Sequence, residues 1–368
     1  MSTTDVFVIG GGPAGLAVAI AARLRGFRVV VADGSHVPID KPCGEGLMPE
    51  GVRALEGLGV TVPAEESFAF RGIRFLSGGS GADAAFPNGA FALGVRRTVL
   101  HRVLAERARE LGIDLLWRTT VTGISADGVQ LGDHKIRARW IIGADGANSR
   151  VRRWVGLDRF RDRVRRYAYR QHFHIKPWTD RMELHWAGRG EVYVTPVSGE
   201  QICVALISRD PKLRLAEALQ QLPQLQAKLE GVEAASTEKG AVTATSRLKR
   251  VSRGNVALIG DASGSVDAIT GEGLCLAFHQ AMVLADRLEI GDLSRYEKEH
   301  RRLGLRPRLM ARLMLMLDRR PRLQRRTVQA FARHPSVLQR LLELHVGVLS
   351  PLHLAVDGLT LGWGLLTA

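Results

Sequence analysis

The sequence is poor in cysteine: among its 368 residues, only Cys43, Cys203 and Cys275 carry a thiol. Three widely spaced cysteines argue against a disulfide framework and a cysteine-based zinc centre, and no other metal site is predicted. A reducing, cytoplasmic compartment fits this composition. The uncharged stretch over residues 6–22 combines a short apolar run with glycines and a helical segment. That pattern is typical of a folded strand–helix unit rather than a signal peptide or membrane span, so no transmembrane segment is expected.

Acidic and aromatic residues are also scarce. The 37 Asp and Glu residues are outnumbered by 52 Lys and Arg, which gives a formal net charge of +15, and aromatic side chains make up 6% of the chain. The basic runs contain no nucleic-acid-binding motif and no interleaved aromatics, so nucleic acid is not expected as a partner. An anionic cofactor, an anionic substrate or an acidic membrane surface would each use a positive field. Much of the excess is local, because residues 301–326 hold ten arginines and one acid, Asp318.

What the sequence does contain is a complete glycine fingerprint near its start. Residues 5–9 form an apolar run, residues 16–25 a helical segment, and residues 28–32 a second apolar run that ends at Asp33. The turn after the first run consists of Gly10, Gly11, Gly12, Pro13, Ala14 and Gly15. This order predicts a dinucleotide site, in which the glycines let the backbone approach a pyrophosphate at a helix N-terminus. The terminal Asp33 would accept hydrogen bonds from ribose hydroxyls.

Two further segments have the same strand–turn–helix form. Residues 139–143 lead into Asp145 and Gly146. Residues 254–259 lead into Gly260 and Asp261, and a glycine-rich loop then reaches Gly271, Glu272 and Gly273 at the start of a helix. An acid at a strand end is well placed to bind ribityl or ribose hydroxyls. The backbone of residues 271–273 can approach a flavin ring at its helix N-terminus.

Cys43 and Arg97 are candidates for the same site, and each has an alternative interpretation. Cys43 and Gly44 lie in a Gly/Pro-rich loop after the second strand, a position near the cofactor in such a fold. The thiol is either an active-site group or a small buried apolar side chain. Arg97 opens an amphipathic helix over residues 98–111 and is either solvated surface or a bidentate ligand of the pyrophosphate.

Between about residues 160 and 245 the sequence changes to alternating β-branched and aromatic residues, which predicts an inserted antiparallel sheet. The predicted fold class is therefore α/β (α+β). Its parts are a Rossmann-type dinucleotide-binding domain (1–75, 96–160 and 246–300), a substrate-binding sheet domain (76–95 and 161–245) and a C-terminal helical region (301–368). The C-terminal helices are basic and Leu/Met-rich, so they either cover a core or dock on a membrane surface.

Together, the three glycine motifs resemble the flavoprotein hydroxylase superfamily with the p-hydroxybenzoate hydroxylase fold. This resemblance extends to about residue 300 and implies FAD as cofactor, with NAD(P)H as a transient reductant or a separate protein that delivers electrons. It implies that Asp33 holds the adenosine ribose and that Arg97 contacts FAD. It also implies that Asp145 and Gly146 support FAD and NAD(P)H, and that Asp261 binds the ribityl chain.

Two segments are similar to the geranylgeranyl reductase-like branch of this superfamily. Residues 41–46, Lys-Pro-Cys-Gly-Glu-Gly, resemble that branch's Cys-Gly loop facing the flavin, and residues 270–273 resemble its Thr-Gly-Glu-Gly segment. The branch's Tyr-x-Trp-x-Phe-Pro segment maps onto residues 191–196, which makes Tyr193 and Pro196 substrate-side candidates but lacks most of the aromatic wall.

The sequence also departs from the superfamily at two positions. Ala268 stands where the family has a proline, and His101 stands where it has an aspartate.

These features predict an FAD-dependent oxidoreductase acting on a hydrophobic substrate of isoprenoid, lipid or polyketide type. In one route, hydride passes to a C=C bond, or back from it in a dehydrogenation, and Cys43 supplies the proton. The alternative is a monooxygenase that uses a C4a-hydroperoxide to hydroxylate or epoxidise an aromatic lipid or polyketide. A flavin halogenase and a non-catalytic flavin-bound membrane-surface protein are further alternatives. The expected location is cytoplasmic, with peripheral membrane association through the basic helices as an option.

Overall fold

Apolar runs that alternate with glycine turns build the architecture of the computed structural model, which describes residues 3–318 and 320–349. Residues 350–368 of the predicted C-terminal helical region lie outside the described residues. The strands are β1 (Thr3–Ile9), β2 (Val29–Asp33), β3 (Gly46–Leu47), β4 (Ser67–Phe70), β5 (Gly72–Ser77), β6 (Ser80–Ala85), β7 (Ala92–Val95), β8 (Asp114–Trp117), β9 (Gly123–Ser125), β10 (Gly128–Leu131), β11 (His134–Gly143), β12 (Phe160–His174), β13 (Met182–Trp186), β14 (Gly190–Pro196), β15 (Gln201–Ser208), β16 (Lys239–Leu248), β17 (Ser252–Arg253), β18 (Val256–Leu258) and β19 (Gly264–Ser265). The helices are α1 (Pro13–Arg23), α2 (Pro49–Gly57), α3 (Arg97–Glu110), α4 (Arg150–Trp154), α5 (Leu215–Gln220), α6 (Pro223–Leu229), α7 (Gly273–Ile290), α8 (Leu293–Leu303), α9 (Leu305–Asp318), α10 (Pro321–Arg333) and α11 (Pro335–His345).

The first large sheet is the parallel one that the opening fingerprint predicts. Its main path runs β17-β18-β11-β1-β2-β8, and β1 pairs in parallel with both β2 and β11. Most of β1 and β2 is buried, which explains why both strands consist of continuous apolar runs. Helix α1 begins at Pro13, where a missing N–H is harmless, and packs against β1, β2 and α7. The predicted α/β fold class is confirmed.

The second large sheet has the order β19-β16-β12-β15-β14-β13-β5-β6 and is antiparallel except where β13 pairs with β5. The predicted domain boundary at residue 75 cuts through β5, although β5 pairs entirely within this sheet. The boundary at residue 245 likewise cuts through β16, which pairs with β12. Both boundaries therefore shift to the strand ends, because distant partners decide which sheet a strand joins.

Strand β8 is short: it ends at Trp117, because Arg118 has φ of 57° and turns the chain.

The described C-terminal helices pack onto the rest of the fold. Helix α8 packs against α7, while α10 and α11 pack against β6 of the second sheet. The strands of a small third sheet, β3-β7-β4, fall between β2 and β8 in the sequence. Within the described residues, no helix combines the length and the hydropathy needed to cross a bilayer.

Candidate functional site

A cavity of about 640 Å³ lies at the carboxyl ends of β1, β2 and β11 and is lined by residues of both large sheets. Ligands of open α/β sheets bind at this end of the strands, and the volume is that of a small-molecule site. The cavity brings together most of the predicted site residues: Gly10, Gly12, Pro13, Ala14, Asp33, Cys43, Gly44, Arg97, Asp145, Gly146, Tyr193, Gly260, Asp261, Gly271 and Gly273. The predicted residues that do not line it are Gly15, Glu272 and Pro196.

The glycines of the first turn serve two different purposes. Gly10 has φ of +111°, and a Cβ on Gly15 would lie 1.8 Å from the Gly10 carbonyl oxygen. Gly15 therefore lets helix α1 pack against the turn and does not face the cavity. Gly12 has no heavy atom within 4 Å of a built Cβ, so its backbone borders open space. An N–H group at this helix N-terminus is accessible to a phosphate.

Asp33 and His101 hold the first turn from two sides. Oδ2 of Asp33 accepts a hydrogen bond from the Gly11 N–H at 2.7 Å, and Oδ1 accepts one from the Ser35 N–H at 2.8 Å. Each carboxylate oxygen keeps a lone pair for a ribose hydroxyl. Nε2 of His101 lies 2.9 Å from the Gly11 carbonyl oxygen, and burial lowers the pKa of the His101 imidazole. A neutral imidazole can donate from Nε2 to this carbonyl.

Asp145 shapes the second turn. Its Oδ2 accepts hydrogen bonds from the backbone N–H groups of Arg150, at 2.6 Å, and Val151, at 3.1 Å, and so caps helix α4. Its Oδ1 is buried and has no hydrogen-bond partner among the described residues. Gly146, with φ of +79°, has open space where a side chain would project. A free acceptor beside an open backbone is suited to a hydroxyl-bearing ligand.

Arg97 and Lys41 are among the basic residues that line the cavity. Nε of Arg97 is buried without a partner among the described residues, which leaves a donor for an anionic ligand. Lys41 reaches Asp261 with 2.9 Å between Nζ and Oδ2, at the opening of the third glycine turn. Sequence reasoning did not single out Lys41, because a lysine in a loop carries no positional signal.

In the Gly271–Glu272–Gly273 segment, the two glycines line the cavity and the Glu272 side chain does not. Gly271 adopts φ of +66°, and Gly273 opens helix α7 with no heavy atom near a built Cβ. The Glu272 side chain is buried away from the cavity and lies 3.5 Å from both Arg306 and His345. Burial raises the pKa of Glu272 to about 8. The sequence predicts that the backbone of this segment approaches the cofactor, and the Glu272 side chain itself contacts the C-terminal helices.

The wall opposite the glycine turns comes from the second sheet and is largely apolar. It is formed by Ala168, Met182, Ala205, Ile207 and Val242. Tyr193 also lies on this wall, and its hydroxyl donates to the Ile269 carbonyl at 2.8 Å. Pro196 lies outside the cavity, and its carbonyl oxygen lies so close to Gly94 that a Cβ there would come within 1.6 Å. Pro196 therefore packs strand β14 against β7.

The loop that carries Cys43 brings in polar residues that sequence reasoning missed. Cys43 is half-buried on the cavity wall, and its Sγ accepts the Glu45 N–H at 3.4 Å. Glu45 is buried on the same wall and lies 2.6 Å from His172 of strand β12. Neither residue carries a sequence signal, since an acid between two glycines and a histidine in an alternating strand are common.

The open glycines, the free Arg97 donor and the free Asp145 acceptor are chemically suited to a dinucleotide with a polar pyrophosphate and hydroxylated chain. Comparison with known protein families indicates which dinucleotide this is. Residues 3–290 match the family model described as an FAD binding domain. The chain belongs to this family. The predicted resemblance to flavoprotein hydroxylases is thereby confirmed, and the protein is an enzyme of the FAD-binding oxidoreductase class.

Two relatives of this family member have different named activities. A menaquinone reductase from Mycobacterium tuberculosis is 28% identical over 324 residues, covering 80% of this chain and 78% of that protein. A rifampicin monooxygenase from Streptomyces venezuelae is 31% identical over 165 residues, covering 42% of this chain and 34% of that protein.

A solved structure supports the fold. The geranylgeranyl bacteriochlorophyll reductase-like protein of Thermoplasma acidophilum superimposes with a TM-score of 0.75 at 19% identity, covering 94% of this chain and 100% of that one.

Proposed function

We propose that the protein is an FAD-dependent reductase that adds hydride to a C=C bond of a hydrophobic, isoprenoid-bearing substrate such as a prenylated quinone. The observation that carries this proposal is the cavity itself, in which the glycine turns face a wall that includes Ala168, Met182, Ala205, Ile207 and Val242. These apolar side chains would bind a hydrocarbon chain by burial. Similarity to a menaquinone reductase over most of both chains supports the same substrate class.

The residues of the cavity would have different roles in binding and catalysis. Bound FAD supplies the hydride. Gly12 and Gly146 would admit the pyrophosphate and sugar to their backbone, and Arg97 would neutralise phosphate charge. Lys41 and Asp261 would hold the hydroxylated chain between the turns. The apolar wall would exclude water from the reacting bond, which protects the hydride from loss to solvent.

NAD(P)H is the proposed source of electrons, and a separate electron-delivery protein is the alternative. Only the opening fingerprint is a complete dinucleotide motif in the sequence, so NAD(P)H would visit the open side of the FAD cavity transiently.

The decisive experiment uses FAD-loaded protein reduced with dithionite without oxygen and then mixed with menaquinone-2. This probe offers two reducible groups, a naphthoquinone ring and a short prenyl chain. After air oxidation, a reduced ring returns to its original mass, whereas a saturated C=C bond keeps two extra hydrogen atoms. We expect the heavier product, detected by mass spectrometry.

The matched control is Asp261→Ala, which is expected to lose FAD and form no product. Recovery of only unchanged menaquinone-2 with the loaded wild-type protein would refute the proposal.

A monooxygenase is the second candidate function, supported by the similarity to rifampicin monooxygenase in part of the chain. It is tested by adding oxygen to the reduced, FAD-loaded protein in a rapid-mixing instrument. A transient absorbance band before the oxidised flavin spectrum returns would favour oxygen chemistry. Direct, featureless reoxidation would favour the reductase.

A further inference from the structure

A buried acid lies on the cavity wall where the substrate would meet the cofactor turns. Glu45 is 3% exposed and borders the cavity beside Cys43. Its φ of 58° lies in the left-handed region that favours glycine, and glycines flank it on both sides. A non-glycine residue persists in this conformation only where its surroundings hold it, and such positions concentrate at functional sites. The backbone conformation of Glu45 therefore points to a function for its carboxyl group.

Several donors converge on the two carboxylate oxygens of Glu45. Oε2 lies 2.6 Å from Nε2 of His172, which is fully buried on β12. Oε1 accepts the backbone N–H of Arg97 at 3.0 Å, and Nε of Arg170 lies 3.9 Å from the same oxygen. This donor set stabilises a carboxylate, the form that an acid takes after it has given up a proton.

The contacts of His172 determine which of its nitrogens carries the proton. Nη1 of Arg170 lies 3.0 Å from Nδ1 of His172, and a guanidinium can only donate. Nδ1 is therefore the acceptor, and Nε2–H donates to Glu45. The Ser236 hydroxyl lies 2.9 Å from the same Nδ1, and Ser236 is half-buried. The chain Ser236–His172–Glu45 thus leads from the protein's periphery to the cavity.

We propose that Glu45 is the catalytic residue that exchanges the proton in the reaction, with His172 as its positioning residue. This proposal rests on the reductase function. As hydride adds to one alkene carbon, the Glu45 carboxyl gives its proton to the neighbouring carbon. The C=C π bond is replaced by two C–H bonds, bound reduced FAD would supply the hydride and with it the two electrons, and Glu45 is left as a carboxylate. In the reverse dehydrogenation the carboxylate takes the proton back.

This assignment replaces Cys43 as the proton donor predicted from sequence. The Cys43 sulfur accepts the Glu45 N–H and so helps to fix the loop. The other charged or titratable groups that face Glu45 are Arg97 on α3, Arg170 and His172 on β12, and Cys203 on β15. Burial raises the pKa of Cys203, so this thiol stays protonated and does not compete as a base.

The test compares Glu45→Gln with Cys43→Ala and with the surface control Glu200→Gln in single turnovers with menaquinone-2. We expect Glu45→Gln to bind FAD and to be reduced by dithionite normally, but to saturate the prenyl bond at least about 100-fold more slowly. His172→Gln should lose a smaller factor and should shift the frequency of the Glu45 infrared band described below, as a positioning residue would. Saturation by Glu45→Gln at the wild-type rate, or loss in Cys43→Ala instead, would overturn the assignment.

An infrared measurement tests the proton uptake by Glu45 independently of turnover. In the reduced-minus-oxidised spectrum of FAD-loaded protein, protonation of Glu45 should give a carboxylic acid C=O band that shifts in D₂O and is absent from Glu45→Gln. Its persistence in that variant would overturn the assignment. If wild-type protein does not saturate menaquinone-2, the reductase function fails, while the infrared band still shows whether Glu45 takes up a proton. The two failures are therefore distinguishable.

Discussion

At the scale of single residues, two glycines three positions apart in the first turn have opposite surroundings. A Cβ on Gly12 would enter open cavity, and its φ of −69° suits any residue. A Cβ on Gly15 would lie 1.8 Å from a backbone oxygen, so the helix would have to move. One glycine makes room for a ligand and the other for the protein's own backbone.

This contrast predicts different defects for Gly12→Ala and Gly15→Ala. Gly12→Ala should leave the unfolding free energy of the FAD-free protein nearly unchanged and weaken FAD binding, because the new methyl group occupies the ligand's place. Gly15→Ala should destabilise the FAD-free protein by about 1–3 kcal/mol, the usual cost of overpacking. Urea unfolding without FAD and fluorescence titration with FAD separate the two effects. Equal loss of stability in both variants would show that Gly12 is also a packing position.

The same residue scale shows what sequence could predict of the site. Glycines, Asp33 and Asp261 were predictable because the cofactor imposes a spacing along one continuous strand–turn–helix segment. Glu45 and His172 lie 127 positions apart and meet only through the packing of a loop on the second sheet. The direction of a side chain could not be predicted from the sequence either. Glu272 lies in the predicted cofactor-binding segment, but its side chain contacts the C-terminal helices.

At the scale of secondary-structure elements, helix α9 is attached to the second sheet by a buried charge cluster. Arg166 of β12 lies 2.6 Å from Glu191 of β14, 3.1 Å from Asp267 and 3.3 Å from Asp318 at the end of α9. Asp267 also caps the short helical turn before Gly271 with its side chain. One guanidinium therefore connects a C-terminal helix to the loop that borders the cofactor cavity.

Removal of this shared cation should be costly. Arg166→Met leaves three buried acids without their common partner, and we expect a loss of about 3–5 kcal/mol in the unfolding free energy. The matched control is Arg209→Met, since Arg209 is partly exposed and pairs with Asp318 alone at 2.6 Å. We expect the control to lose only about 1 kcal/mol. Similar losses in urea unfolding would mean that the cluster is not held by Arg166.

The secondary-structure elements also show which parts of the fold could be predicted from the sequence. Strand and helix positions follow from local periodicity, and β1, α1, β2 and α7 lie close to the predicted positions. Sheet membership does not follow from local pattern. β5 joins the second sheet because β13, more than a hundred residues later, pairs with it.

At the scale of the whole molecule, the net charge of +15 is concentrated in part on the C-terminal helices. Arg322 and Arg326 are exposed one turn apart on α10, so they lie on the same helix face. Leu305 and Met316 of α9 are exposed at 66% and 57%. Exposed basic and apolar side chains on two successive helices are suited to a membrane surface that holds a hydrophobic substrate, and we propose peripheral docking on anionic lipid.

This docking predicts salt-sensitive binding to vesicles of phosphatidylglycerol and none to vesicles of phosphatidylcholine alone. Each arginine near an anionic surface contributes about 1 kcal/mol, so Arg322→Gln with Arg326→Gln should weaken binding by roughly 10- to 30-fold at low salt. The control removes the same charge from the β10–β11 hairpin by Lys135→Gln with Arg137→Gln and should retain binding. Co-sedimentation at increasing ionic strength measures both pairs, because screening weakens exposed charge attraction. Equal weakening by the two pairs would assign the attraction to net charge, and absence of binding at low salt would leave α9 and α10 as a cover for the second sheet.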